Sequence, residues 1–117
     1  MRLLDRGTHS NIDGARQVVV RTAAEWNALW KQHAPARPQP AVDFGREFVA
    51  ALFLGSRPTG GFGVEVVGAG TKAGAFVVQY RETRPGPDAI TTQVITSPFV
   101  LVTMPKVDGD VMFERVQ

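Results

Sequence analysis

After its opening glutamate, the stretch Glu47–Gly55 (EFVAALFLG) is apolar at odd and even positions alike. Side chains of a strand alternate between the two faces of a sheet. A run that is apolar on both faces must therefore be covered on both, and it reads as a central strand. The cover has to come from a chain of 117 residues, a length typical of one domain. A chain of this size hides roughly two-thirds of its unfolded surface and needs no covalent staple. It has no cysteine, which excludes disulfides, thiolate zinc sites and cysteine nucleophiles. One domain over 1–117 is expected. Residues 1–15, polar and with little periodicity, are expected to form a loosely ordered N-terminal arm.

The neighbours of that strand are legible from period and punctuation. Arg16–Arg21 (RQVVVR) is a short β-branched run. Thr22 opens a helix, TAAEWNALWKQHA, in which Glu25 completes a capping box. Trp26, Leu29, Trp30 and His33 fall on one helical face, and Pro35, Pro38 and Pro40 end the helix in an extended link. Phe62, Val64 and Val66 alternate with smaller or polar residues, as do Phe76, Val78 and Tyr80. Further β-rich runs are Ile90–Thr96, Phe99–Met104 and Val111–Val116. The pattern predicts an α+β fold: one N-terminal helix on a mainly antiparallel sheet of about six or seven strands. The glycines and the Pro98 break would allow that sheet to curl into a partial barrel. Residues 56–61 and 68–74 are expected to be hairpin turns. An up-and-down order would place 56–61 and 84–89 at the same end of the sheet.

Little in the sequence has the form of a reaction centre. SRPTGGFGVEV (56–66) is glycine-rich, but a phosphate loop needs a lysine and a following helix, and here strand follows. The cluster 68–74 fails for the same reason. Of the two histidines, His9 lies in the arm and His33 on the helix stripe, where a packed or capping role is the simpler reading. No nucleophile elbow occurs. Glu65 and Glu82 read as cross-strand partners of arginine rather than a catalytic pair. No metal-ligand spacing is present. No catalytic, cofactor or metal residue is expected. The formal charge is +2, and the arginines are interspersed with acids, which argues against nucleic acid. No apolar run reaches the roughly 18 residues of a membrane span, and MRLLDRGTHSN lacks the apolar region of a secretory signal. A soluble chain is expected.

Several stretches taken together resemble the PrcB C-terminal-like family: EWNALW, VDF (42–44), FLGSRPTGGFGVEV, RETRPGP and ITSPFVLVTMPK. The resemblance runs from the first strand to the end of the chain. It implies a small bacterial protein, usually exported or lipid-anchored, without established catalysis, that helps assemble or stabilise a protease complex. The sequence departs from that pattern in having neither a signal peptide nor a lipobox cysteine. The resemblance carries no catalytic set.

The expected function is a non-enzymatic protein-binding or assembly module, an accessory subunit of an extracytoplasmic protease complex. Loops carry function more often than cores. The expected contact residues are Arg57, Pro58, Thr59, Gly60, Gly61, Phe62, Arg84, Pro85 and Asp88, with a protein partner and no cofactor. Two alternatives stand beside it. One is a small-ligand site or enzyme with a pocket walled by Trp26, Trp30 and Phe62; the other is a homo-oligomer formed through a strand edge.

Overall fold

A computed structural model describes residues 1–117. It contains β1 (Arg2–Gly7), β2 (Arg16–Val20), α1 (Ala23–His33), β3 (Glu47–Phe53), β4 (Gly63–Lys72), β5 (Ala75–Thr83), β6 (Phe99–Pro105) and β7 (Val111–Arg115). Two sheets form, in the orders β1-β6-β3-β2 and β4-β5-β7. Every pairing is antiparallel except β5 with β7. The sheets stack and do not close into a barrel, so the expected curl is replaced by a second layer.

The two-faced strand explains the layering. Val49, Ala51 and Phe53 of β3 join Phe99 and Leu101 of β6 against Trp26, Leu29 and Trp30 of α1. Phe48, Ala50 and Leu52, with Val100, Val102 and Met104, face Val64 and Val78 of the second sheet. The first sheet is thus the middle of three layers. Burying each large apolar side chain there stabilises by about 1.5–3 kcal/mol. The helix begins as its residues dictate. The Glu25 N–H donates to Thr22 Oγ1 at 3.2 Å, and Glu25 Oε1 accepts from the Arg21 N–H at 3.0 Å. The indole N–H groups of Trp26 and Trp30 donate to Pro40 O and Arg37 O, both at 2.9 Å. Each buried ring thereby ties the proline-rich link back onto the helix.

Three expectations change. Residues 2–7 are an edge strand paired to β6, not a loose arm; Leu3 is exposed and Leu4 only half-buried, so the strand carries little apolar signal. Residues 90–96 form no strand of either sheet but belong to an extended connection between β5 and β6. The 56–61 stretch is no hairpin turn, because β3 and β4 lie in different sheets. After β3 the chain bends at Gly55 (φ +82), where a Cβ would stand 2.9 Å from Ala15 N, and crosses to the second sheet. The hairpin expected at 68–74 exists, but its turn is just Ala73-Gly74, both at positive φ, as a type I′ connection requires.

Candidate functional site

Two of the three connections between the sheets, 54–62 and 84–98, meet and clamp each other. The Arg57 N–H donates to Thr96 O at 2.8 Å, and the Thr96 N–H donates to Arg57 O at 2.9 Å. Thr96 Oγ1 donates to Thr59 O at 2.9 Å, and the Gly60 N–H donates to Thr92 O at 3.0 Å. Here the glycines have a physical reason. A Cβ on Gly60 would collide with Thr92 Oγ1, and one on Gly61 (φ +89) would stand 2.8 Å from Pro85 Cβ. Only a bare backbone lets the two loops touch at these points.

Of the expected contact residues, the structure gathers Thr59, Gly60, Gly61 and Pro85 into this clamp. Arg57 braces its own loop. Its Nη1 donates to Leu54 O at 2.9 Å and Ser56 O at 3.2 Å, and its guanidinium lies 5.7 Å from the centre of the Phe62 ring. Pro58, Arg84 and Asp88 are exposed on the same pair of loops. Trp26 and Trp30 are buried under the helix, whereas Phe62 lies beneath Arg57 at the start of β4. The three aromatic rings therefore do not wall one pocket.

The residues that sequence reasoning missed are apolar. Ile90 is 102% exposed, Ile95 73% and Val94 49%. All three project from the 84–98 connection, held on one side by Thr92 and Thr96. A signal existed: Pro85, Pro87 and Pro98 bracket the run, and proline excludes it from a central ladder.

A second cluster is polar and buried. Ser10 Oγ lies 2.7 Å from His33 Nδ1, and His33 Nε2 lies 2.8 Å from Asp5 Oδ2. Arg37 holds both oxygens of Asp5, at 2.6 and 3.2 Å. Burial pushes the His33 imidazole below its ordinary value, against the pull of Asp5. Burial would raise the Asp5 carboxyl, but hydrogen bonds from Arg37 and His33 outweigh it and hold it low. The neutral ring donates from Nε2 to Asp5 and accepts the Ser10 hydroxyl at Nδ1, while Ser10 Oγ accepts the Ile12 N–H at 3.0 Å. Although Ser, His and Asp line up, His33 is fully buried and Ser10 nearly so. The chain of bonds pins β1 and the 8–12 segment to α1.

The class defined by these features is a helix-on-two-sheets protein that displays a rigid, apolar-tipped loop pair. Residues 48–105 match the model of the PrcB C-terminal family, and over that span, which runs from β3 through β6 and includes both connections, the chain belongs to this family. No curated protein and no solved structure matches the chain. The one helix is 11 residues long, too short to cross a membrane.

Proposed function

We propose that the protein is a non-enzymatic binding and assembly module that grips a protein partner through the 54–62 and 84–98 connections. The observation that carries this reading is the display of Ile90, Val94 and Ile95 to solvent on a clamped loop. Leaving three β-branched aliphatics in water is unfavourable unless something covers them. The clamp reduces the ordering entropy that binding would otherwise have to overcome. Arg84 and Asp88 beside the tip supply the polar rim that interfaces usually have around an apolar centre. Family membership supports a partner within a protease complex at the cell surface, with this chain as its stabilising subunit.

A photo-crosslinking residue at the exposed Gln93, introduced in the native organism, tests the reading. It should yield one dominant adduct with a protease-complex component, and the adduct should disappear when Ile90 is changed to Asp. Adduct formation that is unaffected by Ile90→Asp would refute the assignment of the surface.

A further inference from the structure

Away from the aliphatic loop tip, the structure carries a second feature that shares only Leu54 and Arg57 with the assembly surface. On one side the sandwich is drawn together, with Arg6 Nε donating to Val64 O at 2.8 Å between β1 and β4. On the opposite side the sheets part between β2 and β5. There a cleft of about 490 Å³ opens, lined by Gln17, Leu52, Leu54, Arg57, Tyr80 and Glu82. That volume falls in the range of small-molecule sites.

The charges in the cleft are unusual for the inside of a sandwich. Tyr80 packs toward the inter-sheet core. Arg115 is its partner across the β5–β7 pairing, and Glu82 follows two residues on, so all three face inward. The Glu82 side chain is only 14% exposed, yet its nearest cations stand beyond hydrogen-bond reach: Arg57 Nη2 at 3.8 Å and Arg115 Nη1 at 3.6 Å. Arg57 spends Nη1 on backbone carbonyls and leaves Nη2 turned to this pair. Tyr80 Oη accepts from Gln17 Nε2 at 3.3 Å and keeps its own proton to donate. The Glu82 carboxylate and the Nη2 of Arg57 therefore keep hydrogen-bonding capacity toward the cleft.

We propose that this cleft binds a small α-amino or α-hydroxy acid. The ligand carboxylate takes the spare Nη2 donor of Arg57, and its ammonium or hydroxyl donates to Glu82, which Arg115 backs from 3.6 Å away. The apolar substituent lies on Leu52 and Leu54. The spacing selects the class. Guanidinium and carboxylate stand less than 4 Å apart, so the acid and donor of a ligand that satisfies both belong on neighbouring carbon atoms. The charged residues that line the cleft, Arg16, Arg57 and Glu82, sum to +1, which suits a ligand whose carboxylate is its leading charge.

The test is an NMR titration of the full chain with alanine, leucine and lactate, beside acetate, methylamine and sulfate. Saturable shifts are expected at the amides of Gln17, Leu52, Tyr80 and Glu82, with acetate and methylamine at least about tenfold weaker, as loss of one charged hydrogen bond implies. Glu82→Gln should weaken alanine binding by about tenfold and Arg57→Gln by a similar factor, with the rest of the spectrum showing that each variant is folded. No saturable shift, equal response to sulfate, or unchanged affinity in both variants would overturn the proposal. Ile90 and Ile95 lie outside the cleft, so failure here leaves the loop-tip reading standing, and the reverse also holds.

Discussion

Gly61→Ala separates what the loop clamp contributes from what a positive-φ backbone costs anywhere. Gly61 has φ +89, and its added Cβ would sit 2.8 Å from Pro85 Cβ and 3.2 Å from Thr91 Cγ2. An L side chain in the left-handed region costs about 1–2 kcal/mol. Forcing a methyl against a proline ring, which cannot rotate away, adds roughly 1–3 kcal/mol. Gly74 is the natural control: its φ is +83, but a methyl added at that turn would meet nothing within 4 Å. Gly74→Ala should therefore lose only the backbone part, about 1–2 kcal/mol. Urea unfolding of both variants, read from midpoints at constant m, should show Gly61→Ala the less stable by about 1–3 kcal/mol. Adding Pro85→Gly, which removes the opposing Cβ, should recover part of that difference as a coupling energy. Equal losses at the two glycines, with no recovery, would refute the claim that these loops are in contact.

Two further outcomes follow from the core and the buried polar chain. Phe48→Ala removes a ring that is 1% exposed and meets Phe76 edge-on at 5.9 Å, and it should cost about 3–5 kcal/mol in the same urea assay. The pH dependence is set first by His33, whose folded value is depressed below the ordinary 6.5. As pH falls through 6.5 the unfolded chain takes up the proton first, so stability declines until the folded value is passed. Asp5, depressed below 3.8, adds a second loss as pH falls from 3.8 through its folded value. Urea midpoints measured against pH should show the first decline in the wild type and not in His33→Phe; a decline of equal size in that variant would assign it to another group.

What could be read from residues depended on local pattern. EFVAALFLG showed a strand covered twice, and Thr22 with Glu25 showed where the helix starts, because both signals lie within a few neighbouring residues. The second sheet was not legible, since nothing in 56–61 distinguishes a tight hairpin from a crossing until Gly60 and Gly61 are seen packed on Thr92 and Pro85. Ile90–Thr96 has strand-forming residues but no ladder to join, and its β propensity misled for that reason. The parallel β5–β7 pair joins segments separated by β6 and its long approach. The Ser10–His33–Asp5–Arg37 chain likewise assembles residues from β1, the 8–12 segment, α1 and the link after it. The expected up-and-down order that put 56–61 and 84–89 at one end does not occur; the two loops meet because both cross between the sheets. The aliphatic tip was not legible, because exposure of Ile90 and Ile95 depends on the crossing that places them there.

The central claim is that the clamped loop pair meets a protein partner through its aliphatic tip. It is tested most directly by the affinity of the captured partner for an Ile90→Ala, Ile95→Ala double variant, measured beside its melting curve. Both side chains are largely in water in the free chain, so their removal should leave the melting temperature unchanged. Binding should weaken by about 2 kcal/mol or more, a factor of roughly 30, as loss of a central apolar anchor pair implies. Unchanged affinity with an unchanged melting curve would contradict the account.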